Sequence, residues 1–136
     1  MRERDNMFTH DDILTPLALT VIIDNKVKDP EMRAFSNQAT ALLGLFELAP
    51  MSGDELQEWF ENNETALREK IKGKGKNTTI LHALTRFKED IHVENMYDAM
   101  VAISISDKEY RLEESDLIKS AASLWGYQRP PFKVKR

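Results

Sequence analysis

The chain contains no cysteine. That excludes a disulfide framework and any thiolate metal site. Its three histidines, His10, His82 and His92, show neither HxxxH nor HExxH spacing, so the usual ligand pattern of a zinc enzyme is missing. Glycine and proline number only five each in 136 residues, and no stretch alternates apolar and polar residues as a half-buried strand would. No apolar run reaches the roughly 20 residues needed to cross a bilayer. The opening MRERDNMF lacks the apolar region of a signal peptide. These absences lead us to expect a soluble, cytoplasmic chain. The net charge of −4 argues against a nucleic-acid partner, because phosphate repels an acidic protein unless its cations are segregated on one face.

Catalytic signatures are also missing. There is no Ser-His-Asp or Cys-His arrangement, no nucleophile elbow and no dinucleotide loop, and we expect a non-catalytic protein. The segment GKGKNTT at 73–79 invites a phosphate-loop reading. It does not fit GxxxxGK[ST], and a helix rather than a strand precedes it. With Arg68, Lys70, Lys72, Lys74 and Lys76 it forms a basic run, read as a solvated inter-helix turn, with docking of an anionic partner as the minority reading.

What is present is helical periodicity almost throughout. The 41% hydrophobic and 31% charged residues fit one globular domain over 1–136, with loosely ordered ends at 1–10 and 129–136. An apolar helix covers 13–23, with Pro16 expected near its first turns, since a mid-helix proline removes a hydrogen bond. Asp29-Pro30-Glu31 opens a second helix that runs to about Phe46. SGDE at 52–55 is a capping box before a helix to about Phe60, and TALREKI forms another that ends at Gly73. Asn77 or Thr78 caps a helix whose Ile80, Leu84, Phe87 and Ile91 recur at helical spacing. Two further helices run from about Val93 to Ile105 and from about Glu113 to Leu124, and Gly126 suits a left-handed C-cap. Trp59, Phe60 and Trp125, among apolar neighbours, read as core. The expected architecture is an all-α bundle of about seven helices.

Two of these segments repeat each other. With LALTVIIDNKVKDPEMRAFSNQATALLG (17–44) set over MVAISISDKEYRLEESDLIKSAASLWG (100–126), Asp24 falls on Asp107 and Glu31 on Glu114. Leu17, Ala18 and Ile22 meet Met100, Val101 and Ile105. Phe35 and Ala39 meet Ile118 and Ala122. The matches recur at three- and four-residue spacing, so they describe core faces of two helical hairpins. Such hairpins are expected to pack about a pseudo-twofold axis.

The second copy, AISISDKEYRLEESDLIKSAASLWGYQRPPF, resembles the closing segment of the TerB-like (tellurite-resistance) family. In that family an apolar helix ends in a pattern close to A-D-G, a Glu opens the next helix, and L-G-L and a terminal Phe follow. Asp107, Glu114, Trp125-Gly126-Tyr127 and Phe132 take those places, and Asp24 and Glu31 take them in the first copy. The likeness spans about 13–132. It departs at the Gly after each Asp, where Asn25 and Lys108 stand. The resemblance implies an all-helical domain linked to bacterial stress response, with divalent-metal binding at acidic residues and a relation to a domain of some DnaJ-type co-chaperones.

The residues themselves leave two readings open for Asp24, Glu31, Asp107 and Glu114. Converging carboxylates repel one another, and calcium, magnesium or manganese would relieve that repulsion through oxygen ligands. Alternatively, each acid serves its own helix end, capping free N–H groups or facing the positive end of the macrodipole. Neither turn is an EF-hand. The alternating ligands, central Gly and closing Glu are absent. A binding or adaptor module with a protein partner is the function expected.

Overall fold

Thr9 starts the first helix. Asp12 N donates to Thr9 Oγ1 at 3.1 Å, and Thr9 N donates to Asp12 Oδ2 at 2.9 Å, a reciprocal capping box that satisfies two otherwise orphan donors. The computed structural model describes residues 8–23, 29–106 and 112–126, and the side chains of 112–115 lie outside that description. Among the described residues there are six α-helices and no strand: α1 (His10–Ile22), α2 (Asp29–Leu45), α3 (Gly53–Lys70), α4 (Lys76–Leu84), α5 (Asp90–Ser104) and α6 (Leu112–Trp125), with a 3-10 turn at Gly73–Gly75. The chain is therefore all-α, as its periodicity indicates.

Helix α1 has almost no polar face beyond its first turn. From Ile13 to Ile22 only Thr15 is not buried. A helix that is apolar all round must be enclosed, and α2, α3, α4 and α5 all pack on it. Helix α5 is the second inner helix, with Val93, Met96, Tyr97, Ala99, Met100, Val101 and Ile103 buried. It packs on α1, α2 and α6. Helix α6 also packs on α4, and this contact joins α6 to the polar middle of the chain.

Three expectations need correction. Pro16 is the seventh residue of α1, not near its start, because the helix begins at His10. It lacks the N–H that would reach the carbonyl four residues back. The surrounding helices hold the segment helical, and Thr20 Oγ1 donates to Pro16 O at 2.9 Å. Next, the two helices expected between 52 and 73 are one continuous α3. The weak helix formers Asn62 and Asn63 do not break it: Asn63 Nδ2 donates to Trp59 O, and Glu64 pairs with Arg68 one turn on at 2.7 Å. Finally, α4 opens at Lys76 after Gly75, with no side-chain cap from Asn77 or Thr78, and stops at Leu84. Ile91 is 54% exposed, so it does not extend the α4 core stripe.

The SGDE capping box is present, with Ser52 N to Glu55 Oε1 at 2.8 Å and Glu55 N to Ser52 Oγ at 3.1 Å. Gly126 has φ +85°, the left-handed conformation expected at a C-cap. The packed chain includes Phe8, Thr9 and His10, which the sequence suggested would belong to a loose end. Phe8 lies 4.8 Å from Phe46 and 5.3 Å from Phe87, centroid to centroid, and His92 lies 4.3 Å from Phe46. The guanidinium of Arg86 lies over the Phe8 ring at 4.5 Å, and His10 Nε2 hydrogen-bonds Ala49 O. This cluster joins the start of α1, the end of α2 and the α4–α5 connection.

Helix α2 ends in a Schellman turn. Leu48 N donates to Leu43 O at 2.8 Å, Glu47 N donates to Gly44 O at 3.1 Å, and Glu47 has φ +61°. An L-residue is strained in that conformation, whereas glycine is not. Glu47→Gly should therefore stabilise the fold by roughly 0.5–1 kcal/mol in urea denaturation. Met96→Ala, in the buried face of α5, should destabilise it by about 2–5 kcal/mol.

Candidate functional site

Helix α2 buries Glu31, Phe35, Ala39, Leu42 and Leu43. These positions follow the three- and four-residue spacing of one helix face. Glu31 therefore heads the same stripe that carries Phe35 into the core, and it is 0% exposed. A carboxylate in that position costs several kcal/mol to desolvate unless charge or hydrogen bonds compensate it. It lies in the first turn of α2, where the partial positive charge of the helix end favours an anion. The i, i+4 relation from Glu31 to Phe35 and Ala39 is legible in the sequence. It puts Glu31 on the core face of α2, and the tertiary packing decides that the acid is enclosed rather than at the rim.

Glu114 holds the matching register in α6. It lies one turn before Ile118, as Glu31 lies one turn before Phe35. Ile118 and Ala122 are buried, as are Phe35 and Ala39. The same correspondence runs through the preceding helices. Ile13, Leu17, Ala18 and Val21 of α1 are buried, and so are Met96, Met100, Val101 and Ser104 at the aligned positions of α5. Asp24 and Asp107, the other two acids of the expected cation site, lie outside the described residues. Among the described residues, no three histidine, aspartate or glutamate side chains gather as a metal site.

The other singled-out features take the following places. GKGKNTT forms the 3-10 turn and the opening of α4, and Gly73 takes φ +61°. Trp59 is half-buried. It lies 6.3 Å from Phe35, and its Nε1 donates to Asp11 Oδ1 at 2.8 Å, tying α3 to the start of α1. Phe60 is buried, and Trp125 is half-buried beside Tyr97 at 6.4 Å. No described helix is long and apolar enough to cross a membrane.

Compared with protein-family models, with curated proteins and with solved structures, the chain matches none.

Burial of Glu31 has a measurable consequence. Glu31→Ala should lower stability by roughly 2–3 kcal/mol, through the cavity and the interactions it removes. Ala in place of the exposed Glu58 on α3 should change stability by no more than about 0.5 kcal/mol. Chemical denaturation of the two variants makes the comparison.

Proposed function

We propose that this chain is a non-catalytic binding or adaptor module of the TerB-like kind, acting with a protein partner in a cytoplasmic bacterial stress response. Its chemical element is a divalent-cation site at the α1–α2 and α5–α6 turns. Asp24, Glu31, Asp107 and Glu114 are the ligands, and calcium, magnesium or manganese is the ion. The single observation that carries this reading is the full burial of Glu31 at the head of the α2 core stripe. A cation would hold that carboxylate through all-oxygen coordination. The matching register of Glu114 before Ile118 supports a second, equivalent acid. The two hairpins would then be related by a pseudo-twofold axis passing between α1 and α5, which pack on each other.

A second reading has its own support. Glu31 lies in the first turn of a helix, where a carboxylate is favoured without any ion. On this reading the acids are structural and the domain binds only protein.

Calorimetric and thermal-shift titration with calcium, magnesium and manganese separates the two. The cation site predicts heat and a raised melting temperature with at least one ion. It also predicts that both responses vanish in the double variant Asp24→Asn, Asp107→Asn. The structural reading predicts no response to any ion. It further predicts that the same double variant loses roughly 0.5–2 kcal/mol of stability in chelator and in cation alike.

A further inference from the structure

A cavity of about 490 Å³ opens between the start of α1, the end of α3 and the outer side of α4. That volume falls within the roughly 300–1,000 Å³ typical of small-molecule sites. It lies at the N-terminal end of α1, a helix of 13 residues. The α1–α2 turn is thus about 20 Å away along the helix axis, so the cavity is separate from the proposed cation site.

The two sides of the cavity differ in what remains unused. The acidic side is engaged. Asp11 accepts from Trp59 Nε1, and Asp12 accepts from Thr9 N and faces Arg86 Nη2 at 3.4 Å. The opposite side carries Lys70, Thr78 and His82. Among the described residues, the ammonium of Lys70, the ring of His82 and the hydroxyl of Thr78 have no hydrogen bond or ion pair. The wall that presents them is fixed, because Thr79 Oγ1 donates to Lys70 O across the α3–α4 turn at 3.2 Å. Leu67 and Ala83 supply apolar lining between the two polar walls.

The free hydrogen-bonding capacity of the cavity thus includes the fixed cation of Lys70 and the donors of Thr78 and His82. Its carboxylates already hold partners, which disfavours a metal ion. A volume of about 490 Å³ admits one anionic group and not an extended polyanion, which disfavours nucleic acid. We propose that the cavity binds a small organic anion, whose single carboxylate or phosphate head is held by Lys70 and His82 and whose short apolar body lies over Leu67 and Ala83. A phosphate or carboxylate head would receive charge-assisted hydrogen bonds from both side chains.

Amide-resolved NMR titration of the full chain with butyrate, phenyl phosphate and the neutral butyramide tests this. Saturable shifts confined to residues around 11–15, 67–70 and 78–86, given by one or both anions and not by butyramide, are expected. The stronger anion identifies the head group. The variant Lys70→Met, His82→Ala alters two exposed side chains and should fold with an unchanged amide spectrum away from the cavity. It should weaken binding about tenfold or more. An equal response to butyramide, shifts scattered beyond the cavity, no saturable response to either anion, or undiminished affinity in the double variant would overturn the proposal.

Discussion

Enclosing α1 is the constraint on which the rest of the structure depends. Nine of its thirteen residues are buried, so a single partner could not remove its apolar surface from water. Helices α2, α3, α4 and α5 all contribute walls. This explains why the polar middle of the chain, with few apolar residues, still folds as helix. Leu56, Phe60 and Leu67 on α3, and Ile80 and Leu84 on α4, are the buried residues these two helices supply. One stripe each is enough, because α1 presents apolar surface on every side. The same enclosure keeps Pro16 within a helix, since the packing of its neighbours outweighs one missing backbone bond.

The second constraint is Glu31. Its stripe mates Phe35, Ala39 and Leu42 are ordinary core residues, and an apolar side chain at its position would pack without a desolvation cost. A carboxylate there departs from the pattern that stabilises the rest of the helix. Departures of that kind concentrate where a protein binds something or must hold a turn in one conformation. The opposite end of α1 has a different character. There Thr9, Asp12, Arg86 and Phe8 form a linked set of a capping box, an ion pair and a cation–ring contact. That set fixes one wall of a cavity whose other wall carries unused donors. The two ends of one buried helix thus present distinct chemistries, held apart by the rigid apolar rod between them.

Much of the architecture is legible in the sequence. Apolar spacing marked the α1, α2, α5 and α6 segments, the Ser52–Glu55 capping box marked the start of α3, and Gly126 marked the end of α6. The burial of Ile13 with Met96, Leu17 with Met100 and Phe35 with Ile118 follows the internal repeat. Less legible was anything decided by competition between local preference and packing. Residues 52–73 read as two helices, the first ending at about Phe60, yet α3 runs unbroken from Gly53 to Lys70. Ile91 fits the periodicity of α4, yet the helix ends first because Phe87 turns into the aromatic cluster with Phe8 and Phe46. The acids Asp24, Glu31, Asp107 and Glu114 were visible as a repeated spacing, but spacing alone does not distinguish a surface cap from a buried carboxylate.

The amino-acid sequence by itself determined the helical class and most of the side chains that fill the core. Those properties follow from the three- and four-residue recurrence of apolar groups, which is local. Only the tertiary structure decided that α1 is the enclosed helix, that Glu31 at the head of its stripe is fully buried, and that Asp11, Lys70 and His82 border one cavity. These depend on residues distant in the chain meeting in space, as with Trp59 and Asp11. Such meetings are set by how whole helices share a limited apolar surface, a property no short stretch of the chain encodes alone.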